Sequence, residues 1–314
     1  MIDDHIARQR RIAEVIEPLP GSVPYTNRRP MTVALKNDGR ALLDFLGALH
    51  PHTPVDYWSA AIAAGDLSID GRSATKDAIV RAGNLIVNTI ENTVEPPVDG
   101  KMSVIFEDDE IFVINKSAPL PVHPCGRFNK NTAIKILERA FPDLALRPVH
   151  RLDADTTGVL LMAKSREAAR ALAQQFERQV VEKRYLALVE GHPRTLRFSC
   201  ALPIEASTST AGTRQISDDG RAALTEVTVI ELRADGRALL AVKPHGGRTN
   251  QIRIHLAELG FPIVGDRAYG KDRDLSDGFS QGAPVCLHAQ RLSLGHPRGH
   301  PLDLEAPAPA WASI

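Results

Sequence analysis

Residues 148–165, P-V-H-R-L-D-A-D-T-T-G-V-L-L-M-A-K-S, set two carboxylates in a polar run. On one side lies a Pro-Val pair and on the other the apolar run 159–163. Asp153 stands just ahead of a Thr-Thr-Gly turn. The hydroxyls of Thr156 and Thr157 can bond the turn backbone there, and Gly158 frees it sterically. A carboxylate held in this way at a sheet edge can act as a nucleophile or as the counter-ion of a cationic transition state. Asp155, two residues on, offers a hydrolase-type carboxylate pair with Asp153, but its position reads as a solvated turn residue. Arg151 precedes Asp153 by two, so in extended backbone the two share a side. His150 and His255 are candidate bases that read as structural.

Two further residues combine a suitable side chain with a fixed position. Tyr185 sits in K-R-Y-L-A-L-V-E-G, residues 183–191, whose alternation predicts a strand. Arg253 lies in G-R-T-N-Q-I-R-I-H-L-A-E-L-G, residues 247–260, which looks helical.

The elements that must position these groups follow from periodicity. Residues 103–116 predict a hairpin around an acidic turn, and residues 131–141 a helix. A further helix is capped by Ser165 and lined by Ala169, Leu172, Ala173 and Phe176. Residues 225–232 and 237–242 flank an Asp-Gly turn, so the region from Lys101 onward reads as α+β with several antiparallel pairs. Residues 94–100, V-E-P-P-V-D-G, read as a linker. Ahead of it, residues 34–97 predict two helices and a small hairpin, a pattern similar to the S-four-type RNA-binding module. Residues 1–33, with four prolines and no sustained period, read as an extended arm.

Composition narrows the class without choosing a function. The chain has 314 residues, is 43% hydrophobic and 24% charged, and has a formal net charge of +0. That balance fits a globular protein and leaves nucleic acid open as a partner, since binding needs a local basic patch. No apolar run reaches the length of a membrane span, and the N-terminus lacks the pattern of a secretory signal. Three scattered cysteines predict no disulfide framework and no zinc site, hence a reducing cytoplasm.

Four segments in order carry a family resemblance: H-R-L-D-A-D-T-T-G (150–158), E-K-R-Y-L-A-L-V-E-G (182–191), G-R-T-N-Q-I-R-I-H-L-A-E-L-G-F-P-I-V-G-D-R-A-Y-G (247–270) and L-H-A-Q-R-L-S-L-G-H-P (287–297). Together they resemble the RluA-type RNA pseudouridine synthases over roughly two thirds of the chain. The resemblance implies a pseudouridine synthase fold over residues 98–314, with a mixed, largely antiparallel sheet flanked by helices. It implies that Asp153 is the nucleophile, leaving open whether it attacks the sugar or the uracil. Tyr185 would stack on the target base and help remove the proton from carbon 5, and Arg253 would pair with the catalytic carboxylate. Arg151 would hold RNA with its uridine everted. Arg127, Lys130, Arg248 and Arg267 are the further basic residues expected to meet phosphates.

The reaction is an isomerisation, so no metal or other cofactor is expected. The expected partner is ribosomal or transfer RNA, bound by a cytoplasmic monomer. Three positions depart from the family pattern: Ser117 for a frequent proline, Thr157 for serine, and Asn250 for a common histidine. Two rivals remain. One is a non-catalytic RNA-binding factor on the same fold. The other is a glycosidase using Asp153 with Asp155.

Overall fold

The computed structural model describes residues 2–206, 213–271 and 284–313. The chain divides into two compact units, a smaller one of Gly21–Glu95 and a larger one of Met1–Pro20 with Pro96–Ile314.

The first 33 residues are not an extended arm. Helix α1 (Ile2–Ile16) opens the larger unit, and β1 (Tyr25–Thr32) belongs to the smaller one. The sequence hides α1 because its apolar face is narrow. Among its described side chains only Ile12 is fully buried, with Val15 and Ile16 partly so. Tertiary contacts hold it instead: Arg8 bonds Glu107 through two nitrogens, and the guanidinium groups of Arg8 and Arg11 lie over the Phe141 ring. Strand β1 contains Pro30, which argues against a central strand. It is tolerated because β1 is the edge of its sheet.

The smaller unit continues with α2 (Leu42–Leu49), α3 (Val55–Ala64), the short hairpin β2 (Leu67–Ile69) and β3 (Arg72–Ser73), and β4 (Leu85–Thr93). Its sheet runs β1-β4-β2-β3, and Leu42, Phe45, Leu46, Trp58, Leu67 and Ile86 form the core.

In the larger unit, β5 (Ser103–Glu107) and β6 (Ile111–Lys116) form the expected hairpin. Next come α4 (Ala133–Ala140), β7 (Arg147–Pro148), β8 (Thr157–Ala163), α5 (Arg166–Glu177) and β9 (Glu182–Glu190). Then follow β10 (Arg197–Cys200), the pair β11 (Ile204–Ala206) and β12 (Arg214–Ile216), β13 (Leu224–Leu232), β14 (Arg237–His245) and α6 (Gln251–Glu258). Strands β15 (Leu287–Gly295) and β16 (Pro301–Glu305) end the fold. Among the described residues no helix is long and apolar enough to cross a membrane.

The main sheet has the order β10-β13-β14-β9-β15-β8-β6-β5, with β16 on β15 and β7 on β8. It is antiparallel except where β15 meets β8. Strands β6 and β8 are covered on both faces. Phe112, Ile114, Leu160 and Met162 pack into one core, and Ile111, Val113, Val159 and Leu161 into another. That two-sided burial is why both strands read as unbroken apolar runs. A third core, with Val189, Leu240, Val242, Ile252 and Leu256, joins α6 to the sheet.

Candidate active site

Asp153 lies on the loop between β7 and β8. Two donors pin this loop through the Ala154 carbonyl, namely the Leu120 N–H at 2.9 Å and Lys116 Nζ at 3.0 Å. The loop closes on itself where Thr156 N–H donates to the Asp153 carbonyl at 3.1 Å. Thr157 does not bond the turn backbone as expected. Its hydroxyl shares a 2.7 Å hydrogen bond with His288 Nδ1 on β15 and so ties the loop to the neighbouring strand. Gly158 is required by the same seam. Its φ is +112°, and a Cβ there would lie 2.2 Å from the Ala289 carbonyl oxygen.

The Asp153 side chain is half-buried and, among the described residues, accepts no hydrogen bond. Asp155 differs from its reading as a solvated turn residue. Its Oδ1 is buried without a hydrogen-bond partner among the described residues. Burial raises its pKa, against the pull of Arg253 and Lys116. The reason is the loop path, which turns Asp155 inward toward Lys116. That lysine is fully buried, with Nζ also donating to the Ser117 and Leu120 carbonyls. Burial pushes its pKa down to about 7, although Asp155, Asp153 and Asp99 pull it upward.

Tyr185 stands on β9, opposite Ala289 on one side and Val242 on the other. Burial first, and then the charge of Asp153, raise its phenol above the ordinary range. The group is therefore held neutral. That suits stacking and hydrogen-bond donation and leaves phenolate unpopulated at neutral pH. Two residues earlier on the same strand, Lys183 donates to the Gly246 carbonyl.

Arg253 reaches the site from α6, whose residues from Gln251 to Leu256 are all buried. A polar seam fixes this helix. Gln251 Nε2 donates to the Leu224 carbonyl at 2.9 Å, and His255 Nδ1 meets the Thr225 hydroxyl at 2.9 Å. His255 is thus structural in its contacts. So is His150, whose Nε2 accepts from Leu161 N–H and whose ring stacks on Phe176.

The direct carboxylate partner of Arg253 is Asp266, not Asp153 as expected. Nε and Nη2 bond its two oxygens at 2.7 and 2.8 Å. Burial opposes the charge, but the bonds and charge of Asp266, and then Asp153 and Asp155, outweigh it and raise the pKa. Asn250 takes the left-handed conformation ahead of α6, with φ 58°. Its Oδ1 accepts from Arg253 Nη1 at 3.3 Å and its Nδ2 donates to Tyr269 Oη at 3.0 Å. Its amide thus fills a structural place between Arg253 and Tyr269.

Asp153, Tyr185 and Arg253 line one open cavity of about 90 Å³, together with Arg151, Arg248, Lys183, Thr156 and Asn250. Arg151 is exposed and, among the described residues, its side chain makes no ion pair or hydrogen bond. Its charge helps hold down the His123 pKa, behind the larger effect of burial. Arg127, Lys130, Arg267 and Asp155 are not among the lining residues. Lys116, Lys183 and Asp266 are functional neighbours that no catalytic motif in the sequence singles out. Alternation placed Lys183 on the face of Tyr185, a signal that was available. Asp266 lay inside the quoted G-D-R-A-Y-G, but nothing local says what it holds.

Residues 110–258 match the family model described as RNA pseudouridylate synthase. Ribosomal large subunit pseudouridine synthase D of Xanthomonas campestris is 33% identical over 309 residues, covering 93% of this chain and 91% of its own. Human pseudouridylate synthase RPUSD2 is 33% identical over 233 residues, covering 74% of this chain, which spans only 42% of that protein. The structure of human RNA pseudouridylate synthase domain containing 1 superposes with a TM-score of 0.58 at 28% identity. It covers 69% of this chain and 87% of its own.

Proposed function

The chain belongs to the RluA-type RNA pseudouridine synthase family, and from that premise we propose that it isomerises specific uridines in RNA to pseudouridine with Asp153 as nucleophile. What carries the proposal is the convergence of Asp153, Tyr185 and Arg253 on one cavity, beside the cations of Arg151 and Arg248.

The isomerisation breaks the bond from C1′ to N1 and forms one from C1′ to C5. C5 loses a proton and N1 regains one, so no oxidant or reductant enters the balance. A carboxylate without hydrogen-bond partners keeps its lone pairs for attack. Tyr185 stacks on the detached uracil. Because its phenol is protonated at rest, it can take the C5 proton only as a relay, passing its own proton onward in the same step toward N1. A uridine inside a helix cannot reach this carboxylate, so the target base is everted, with Arg151 and Arg248 gripping the backbone. The glycosidase rival loses support because Asp155 is largely buried and is not among the residues that line the cavity.

Ribosomal RNA is the first substrate to assay, because the relative aligned over nearly the whole chain is named for the large ribosomal subunit. The smaller unit is assigned to RNA contact through exposed Arg40, Arg72 and Arg81, and the protein to a cytoplasmic monomer. The test is chemical mapping of pseudouridine after incubation with ribosomal and transfer RNA. Wild type is expected to modify a defined site and Asp153→Ala none. A wild type that binds RNA without modifying it would return the reading to a non-catalytic binding factor. Release of free uracil would return it to a glycosidase.

A further inference from the structure

Lys183 is a cation on the cavity wall that, among the described residues, no carboxylate pairs with. It stands on β9 two residues before Tyr185, so alternation puts both side chains on the face that lines the cavity, about 6.5 Å apart along the strand. An ammonium has three N–H donors. One goes to the carbonyl of Gly246, which takes a left-handed φ of +88° ahead of α6. The other two have no acceptor among the described residues. Half-burial lowers the lysine pKa, and no acidic neighbour lifts it back. A partly dehydrated, unpaired cation is costly unless something anionic meets it.

Two kinds of negative charge reach this cavity under the proposed chemistry. Phosphates of RNA come to its rim, where Arg151 and Arg248 stand. The second charge is made inside. Cleavage of the bond from C1′ to N1 leaves its electron pair on the ring, as a uracil anion shared among N1, O2 and O4. Attack on C6 of the ring instead drives an electron pair through C5 and C4 onto O4, as an enolate. Whichever attack Asp153 makes, negative charge arrives on a carbonyl oxygen of the base that stacks on Tyr185. That charge is absent from bound uridine and present in the transition state, so a cation set in place beforehand acts on the transition state selectively.

Resting on the functional reading above, we propose that Lys183 is a catalytic residue of the isomerisation: its ammonium, steered by Gly246, donates to a uracil carbonyl oxygen and holds the negative charge that the ring acquires. When C5 bonds C1′ the electron pair leaves the ring, and Lys183 keeps its proton throughout.

Single-turnover kinetics of Lys183→Met on RNA with uridine at the mapped site test this. The expected result is a rate lowered about 100-fold, with Kd for RNA within about threefold and the slope of log K against log salt unmoved. A phosphate contact would instead weaken binding and reduce that slope by about 1, and that outcome, or a wild-type rate, would overturn the proposal. Placing 5-fluorouridine at the same site separates a charge effect from a structural one. The fluorine withdraws electrons and makes the ring anion more stable on its own. The loss on Lys183→Met, read as consumption of the fluorinated uridine, should therefore shrink to less than about tenfold. An undiminished loss would refute the charge role.

Lys183→Arg covers the case in which Lys183→Met does not fold. It keeps the cation and a donor for Gly246, and its rate is expected to stay within about tenfold of wild type, since one-point contact does not demand the shape of lysine. A loss as large as about 100-fold in this variant would also overturn the proposal. Full activity in Asp153→Ala would remove the functional reading instead. A wild-type rate in Lys183→Met beside an inert Asp153→Ala would remove this proposal alone.

Discussion

Asp153 and Asp266 both act on the charge of one guanidinium and are built in opposite ways. Asp153 is half-buried on a loop, and its carboxylate accepts no hydrogen bond among the described residues. Asp266 is fully enclosed, with both oxygens saturated by a two-point arginine pair and two backbone N–H groups. The backbone beneath them reverses the pattern. The Asp153 loop is pinned at the Ala154 carbonyl by two donors, so the chain is rigid and only the carboxylate is left unclaimed. A group meant to react is fixed through its main chain, and a group meant to hold is fixed through its side chain.

The largest effect that could break this comparison is chemical. Asp153→Ala is expected to lower kcat by on the order of 10⁴-fold or more while moving unfolding free energy by less than about 0.5 kcal/mol, read from product formation and denaturant melts. A large loss of stability would mean that Asp153 holds structure after all. Gly158→Ala should do the reverse. It strikes the seam with Ala289 and is expected to destabilise the protein by more than about 3 kcal/mol, visible as a lowered denaturant midpoint.

Lys116 sharpens the claim that the loop is held through its main chain. The folded protein releases the Lys116 proton at about pH 7, whereas an unfolded chain keeps it to about 10.5. Stability from this group is therefore lowest below pH 7 and rises as pH climbs from there toward 10.5. Lys116→Met should abolish that rise in melts taken across the window and leave the rest of the pH profile in place. The smallest effect lies at the rim. Arg151→Glu combined with Arg248→Glu should weaken RNA binding for every sequence and reduce the slope of log K against log salt by about 2. An unchanged slope would remove both residues from the phosphate contacts.

Much of this was legible in the chain because it is local. The apolar runs of β6 and β8, the Ser165 cap and the alternation of β9 each declare themselves within ten residues, and they place Asp153 and Tyr185 directly. What stayed hidden is relational. Arg253 and Asp266 are 13 positions apart on a helix and a turn, and Lys116 meets Ala154 across 38. No periodicity encodes such pairings, so the expected bond from Arg253 to Asp153 was given to the wrong carboxylate. Asp155 was misjudged for a similar reason, since composition marks a polar loop without saying which side chain the loop folds inward. Helix α1 escaped notice because its stability is borrowed from Glu107 and Phe141, far along the chain.

The seam between β8 and β15 has a further consequence. Asp153 precedes β8 and Tyr185 is on β9, yet these strands are not neighbours, because β15 is inserted between them. Until residues 287–295 have left the ribosome, no sheet joins the two halves of the cavity. The cavity is therefore complete only once β15 has been synthesised, and a nascent chain truncated ahead of β15 is expected to be inert toward any RNA it met. The long loop that must close to bring the seam together also makes the assembly of the site a late event in folding.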